Sequence, residues 1–239
     1  NGNQAAKTTQ NLDTIFRIPV VIHMVYTDPL VDSLDENLIL SQMDVLNRDF
    51  RRLNTDTGNT RPEFKSIAGD VGVEFYLPTT DPQGNPTNGI TYTLGNPGFF
   101  GFEPITDNVK SSATGGADPW PTDQYMNLWV CNILNGIGVL GYAFPPAAAP
   151  NWPANSSTDS AKQGVVVHYE VFGENNPNAT GPLQIAAEGR TAVHEVGHFL
   201  GLRHVWGDGD CSEDDGINDT PLMGSNSQQA GCSFTKNTC

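Results

Sequence analysis

The sequence is short of cations. Lys and Arg number 12 among 239 residues, against 27 Asp and Glu, for a formal net charge of −15. A nucleic-acid binder needs a basic stripe, and a protein held on an anionic bilayer needs a basic patch; composition argues against both. The chain also lacks any run approaching 18 consecutive apolar residues, so no membrane span is expected. Four cysteines are present and none forms a CxxC pair, which removes the usual thiolate zinc sites. No internal repeat is visible, and no charged-then-apolar leader precedes Ile18, so Asn1 is expected to be a processed or cloned end. Histidine is scarce as well, at five residues.

What is plentiful is glycine, at 25, and proline, at 17, which together imply long, ordered, irregular connections. The length fits one domain or two small ones, with room for a substantial core. Cys211, Cys232 and Cys239 cluster where apolar residues are few, the pattern of a disulfide-pinned loop in an exported protein. Three pairings of the four cysteines are formally open. Cys131 lies in an apolar run and reads as a buried free thiol. N-x-Ser/Thr sites occur at Asn155, Asn178 and Asn218; such short motifs arise by chance and matter only in a eukaryotic secretory setting.

Residues 1–14 are polar and are expected to be extended, and the N-terminal arm is expected to span 1–17. Ile18 to Tyr26 is rich in β-branched residues and predicts a strand. Ser33 and Glu36 have capping-box spacing, and Leu38, Met43, Leu46 and Phe50 then mark one face of a helix over Leu34 to Leu53. A short helix is expected over Pro62 to Ala68. Strands are predicted over Val71 to Leu77, Ile90 to Leu94, Tyr125 to Ile133 and Gly164 to Tyr169, with a second long helix over Gln184 to Leu200. Residues 95–123 are expected to form a long surface excursion, and Gly136 to Phe144 is glycine-rich, with no element assigned. This order describes an α+β chain, a mixed sheet backed by two helices, with an irregular part beginning near Gly201.

One segment carries chemistry: His194-Glu195-Val196-Gly197-His198-Phe199-Leu200-Gly201-Leu202-Arg203-His204. Residues four apart lie above one another on a helix, so His194 and His198 can share one ion. Glu195 stands beside them, where it can take a proton from an attacking water. Gly201 lacks a Cβ and permits a sharp turn that returns His204 to the same ion. Three neutral imidazoles leave one zinc position open, which is the catalytic arrangement. A bare HExxH arises by chance in roughly one chain of this length in a hundred or two, and the added glycine and histidine lower that about a thousandfold. The remaining histidines, His23 and His168, lie in or at the end of strands and read as packed residues; His168 has the alternative of flanking the groove. Asp208, Asp210, Glu213, Asp214, Asp215 and Asp219 repel one another unless solvated or neutralised. Solvation is the bland account and calcium the other, without EF-hand spacing.

HEVGHFLGLRH resembles the long motif of the metzincin clan of zinc peptidases. Within that clan the chain is similar to the pappalysin family, through GRTAVHEVGHFLGL, LNRDFRRLN at 46–54, MNLWVCNI at 126–133, GVLGYAFP at 138–145, GVVV at 164–167 and DTP at 219–221. The resemblance implies zinc on His194, His198 and His204 with Glu195 as general base. It implies an upper subdomain, 18–201, with a twisted mixed five-stranded sheet, a backing helix and an active-site helix. Below it comes a lower subdomain, 202–239, held by calcium and disulfides. By the same resemblance Cys211 pairs with Cys239, Cys232 pairs beyond the chain, and Asp215, Asp219 and Thr220 contribute calcium ligands. It further implies a methionine turn beneath the ion. Met223, in TPLMGSN, does not match that turn, whose expected place follows Cys239; a C-terminal continuation is therefore expected to complete the lower subdomain.

The leading expectation is a secreted zinc endopeptidase acting on proteins or peptides. The alternative is a catalytically incomplete metal-binding interaction module, or an inactive precursor fragment, on the same scaffold.

Overall fold

The computed structural model describes residues 14–95, 107–133, 138–147, 149, 152, 158–218, 220–224 and 239. Strand β1, Phe16–Tyr26, is the long central strand. It is parallel to β4, Met126–Cys131, along one edge. Along its other edge it pairs first with β2, Val73–Tyr76, and then with β3, Ile90–Leu94, both parallel. Strand β6, Gly164–His168, lies parallel to β4, and β5, Gly141–Phe144, closes that side antiparallel to β6. The order is β2-β1-β4-β6-β5, with β3 beside β1. The sheet is thus mixed as expected, with two short strands sharing one edge of β1 and a sixth strand, β5. No strand is expected over Gly141–Phe144, because the glycine-rich run from 136 hides a four-residue strand.

The parallel strands explain the composition of the core. Both faces of a parallel sheet are covered, so β4 and β6 are buried throughout and read as unbroken apolar runs rather than alternating ones. On one face α1, Glu36–Phe50, and α3, Arg190–Phe199, pack with Val20, Ile22, Leu46, Phe75, Leu128, Val167 and Val196 in one cluster. On the other face Val25, Val109, Trp129, Cys131 and Val166 form a second, smaller cluster under the loop that follows residue 107. Cys131 is a buried free thiol, as expected, and burial pushes its pKa well above the usual range.

Two helix boundaries differ from the expectation. The cap of α1 is Asp35, whose side chain accepts from the Leu38 amide at 2.8 Å; Ser33 lies outside the helix. The second long helix does not begin at Gln184. A 3-10 turn covers Gly181–Ala186, and Gly189 then takes a left-handed φ of 70° before α3 starts. The short helix α2 is confined to Pro62–Lys65. Among the described residues no helix is long and apolar enough to cross a membrane.

Candidate metal centre

Helix α3 is fixed at its first turn before any functional side chain appears. Gln42, fully buried on α1, donates to Gly189 O at 3.0 Å and accepts from Gly173 N at 2.8 Å. Arg190 clamps Asp56 through two bonds of 2.6 and 2.8 Å and reaches Asp49 on α1 at 3.0 Å. The guanidinium holds the Asp56 carboxyl well below the usual carboxylate range. Val196 and Phe199 anchor the helix in the core. The result is a rigid platform whose side chains have fixed directions.

On that platform His194 and His198 project together, four residues apart. Their Nε2 atoms are 3.0 Å apart. The helix ends at Phe199, and Gly201 turns the chain at a φ of 96°. His204 returns, placing its Nε2 3.2 Å from each of the other two. The three residues form a cluster whose ligand atoms all lie within 4.8 Å of one another. Four ligands at the usual zinc–nitrogen distance of about 2.0–2.1 Å stand about 3.3–3.4 Å from one another around a tetrahedron. The observed spacing is within a few tenths of an ångström of that figure, so the donor set fits the ion.

Hydrogen bonds to the far side of two rings fix the tautomer. His198 donates from Nδ1 to Leu202 O at 2.6 Å, and His204 donates from Nδ1 to Asp208 Oδ1 at 2.5 Å. Each bond leaves Nε2 with its lone pair directed at the common point. Burial first, and then the neighbouring imidazoles, lower the His194 pKa to about 4; burial also lowers that of His198. Both of these imidazoles, His194 and His198, are therefore neutral near pH 7, the form that ligates. Trp206 stacks on His204 at 4.3 Å and Trp152 meets His198 edge-on at 5.8 Å.

Glu195 points to a different side of α3, against β5. A Cβ built on Gly141 would stand 2.8 Å from Glu195 Cγ and 2.9 Å from Val166 O, so only glycine lets the strand lie this close. This contact helps to bury Glu195, and burial raises its pKa to about 8. A cation on the adjacent histidines would favour the carboxylate and oppose that shift. A cavity of about 390 Å³ is lined by all three histidines, His194, His198 and His204, together with Phe50, Val193 and Trp206.

The remaining candidates lie elsewhere. His23 is buried between Thr91 Oγ1 and Asn127 Oδ1, each at 2.9 Å, and stacks on Trp129. His168 accepts from the Ile133 amide and donates to Glu170, so it is a packed residue and does not join the cluster. Cys211 and Cys239 are joined as a disulfide. Asp215 is buried and accepts from the Ile217 amide, while Thr220 donates its amide to Ile217 O. Asp219, Cys232 and the Asn155 site lie outside the described residues. Sequence reasoning missed Gln42, Arg190, Gly141 and Asp208 as supports. Only Asp208 carried a signal, lying four residues after a candidate ligand.

The profile of the M43 peptidases, the family of pregnancy-associated plasma protein-A, matches residues 110–239. The chain belongs to this pappalysin family. Mature mirolysin of Tannerella forsythia, in complex with a cleaved peptide, superposes with a TM-score of 0.77 at 45% identity, over 88% of this chain and 73% of that one. A promirolysin mutant from the same organism gives 0.76 at 44% identity, over 89% and 64%. Its fold is therefore that of a metzincin. An extracellular metalloprotease of Arthroderma gypseum is 27% identical over 99% of this chain, which spans 65% of that protein. One from Arthroderma otae is 33% identical over 56% of this chain, covering 46% of that protein.

Proposed function

We propose that the chain is the zinc-bearing part of a secreted metalloendopeptidase, with the ion on His194, His198 and His204 and Glu195 as general base. The observation that carries this is the convergence of three imidazole Nε2 atoms, 3.0 to 3.2 Å apart, two of them on a helix where Glu195, the residue after His194, is buried. Zinc, when bound, supplies Lewis-acid polarisation of the scissile carbonyl and of the attacking water. The three histidines hold that centre through Nε2, and the bonds to Leu202 O and Asp208 keep their rings in the ligating tautomer. Glu195 accepts the proton of the attacking water and delivers it to the departing amine. Strand β5, resting on Glu195 at Gly141, shields that carboxylate from bulk solvent.

Similarity to mirolysin and to fungal proteins named extracellular metalloproteases supports peptide substrates and export. The division into an upper part, 18–201, and a lower part, 202–239, belongs to the same reading, supported by the turn at Gly201. So does a structural calcium near Asp215 and Thr220, which metal analysis of the purified chain tests directly.

The deciding experiment exposes a denatured-proteome peptide library to the zinc-loaded chain and to Glu195→Gln, and reads new termini by mass spectrometry. Cleavage sites made by the parent and reduced about 10²–10⁴-fold in the variant, at equal zinc content, are expected. Equal cleavage by both would sink Glu195 as the base, and no cleavage by zinc-loaded parent would favour a binding module.

A further inference from the structure

Strand β5 has one ladder partner, β6, among the described residues, and all four of its residues are only half-buried. Such an edge strand frays easily unless something else holds it. Its two faces do different things, as the period of two requires. Gly141 faces Glu195 and Ala143 packs against the main core. Tyr142 packs with the second core on the opposite face of the sheet, and the Phe144 ring stands edge-on to it at 6.1 Å.

Against that opposite face lies an unusual group, the buried ammonium of Lys110. Its side chain is 2% exposed. The Nζ atom stands 4.4 Å from the Phe144 ring centre, 5.0 Å from Tyr142 and 5.4 Å from Trp129. It also pairs with Asp107 at 3.2 Å and donates to Lys162 O at 2.5 Å. A cation among three rings is attracted by each, and more strongly where water is excluded. Two of those rings belong to β5 and the third to β4. The ammonium therefore ties the edge strand to the sheet interior from the side away from the histidines.

We infer that Lys110 is a positioning residue for the general base: its caged ammonium holds β5 in place, and Gly141 of β5 in turn holds Glu195. The inference rests on the peptidase reading for its effect on turnover, and on geometry alone for its effect on the strand. The contacts of Lys110 described above include neither the histidines nor Glu195, so zinc uptake is expected to be independent of it.

The test uses the full zinc-loaded chain with Lys110→Met, which keeps an unbranched apolar stem and removes the charge. Phe144→Leu removes the nearest ring while leaving the Lys110–Asp107 pair, and serves should Lys110→Met fail to fold. Val109→Ala trims the neighbouring apolar cluster without touching the ammonium. Hydrogen exchange of amides 141–144 is expected to quicken about tenfold or more in Lys110→Met and less in Phe144→Leu. Amides of β1 should be unchanged in both, and Val109→Ala should leave 141–144 protected. Turnover of a quenched peptide built on a cleavage site found in the peptide library should fall about tenfold in kcat, with KM within about twofold and one zinc per chain retained. Unchanged exchange at 141–144 overturns the clamp, as does equal loosening by Val109→Ala. Loosened exchange with unchanged kcat overturns the positioning role. An inactive parent would sink the peptidase reading instead, leaving the exchange arm to decide the strand contact.

Discussion

The sheet core and the segment after Gly201 are held together by different physics, and the candidate metal centre straddles them. In the core, Val20, Ile22, Leu46, Leu128 and Val167 are wholly buried, and apolar burial at about 25 cal/mol per Å² dominates. Among the described residues after Gly201 few side chains are buried. The chain there is organised by turn hydrogen bonds, by Arg203 donating to the Gly207 and Asp214 carbonyls, and by the Cys211–Cys239 disulfide. Two of the proposed ligands, His194 and His198, stand on a helix bolted to the core. The third, His204, is delivered by the polar segment and steadied by Asp208 and Trp206. The lesson is that the site's weakest support is on its His204 side.

Three changes test that contrast. The largest effect is expected in the core. Leu46→Ala removes a fully buried side chain from the main cluster and should cost about 2–5 kcal/mol in a denaturant titration. Zinc release should then coincide with global unfolding. Release well before unfolding would show that α3 is less coupled to the core than its packing implies.

Acid comes next, and it addresses the core through His23. Its neutral ring is buried, and burial lowers its pKa to about 4. The unfolded chain gains this proton near pH 6.5 while the folded chain refuses it until about pH 4. Stability is therefore lost as pH falls across that window, by up to about 3 kcal/mol, and is flat below it. His23→Phe should reduce this slope by the share of His23, leaving that of His194, whose pKa is lowered over the same window; Asn127 Oδ1 would still accept from the Trp120 amide. A slope unchanged in the variant would remove His23 from the account.

The smallest effect is expected on the polar side. Asp208→Asn weakens the bond that orients His204 and should lower zinc affinity about 10–100-fold in a competitive chelator titration, with the apo-protein's melting temperature nearly unchanged. A large fall in melting temperature would mean that the segment after Gly201 carries core stability after all.

Much of this was legible in the sequence, for identifiable reasons. The convergence of His194, His198 and His204 was readable because HExxHxxGxxH encodes helix geometry and a turn in consecutive residues. The long strands were readable because β4 and β6 are buried on both faces. Strand β5 was not: four half-buried residues flanked by glycines have no period long enough to recognise. Gln42 and Lys110 were equally silent, since a buried amide or ammonium looks like any surface residue until its partners, more than 100 and about 30 residues away, are brought to it. The start of α3 was misplaced because Ala186, Ala187 and Glu188 favour helix locally, while Gly189, fixed by Gln42, breaks it.

The central claim is that one ion is shared by two ligands from the rigid helix and one from the polar segment. Zinc-edge X-ray absorption on the zinc-loaded chain and on His204→Ala tests it most directly. The account predicts imidazole nitrogens at about 2.0–2.1 Å with no sulfur in the shell, and the loss of one imidazole in the variant. A shell containing sulfur, or one unaltered by His204→Ala, would contradict it.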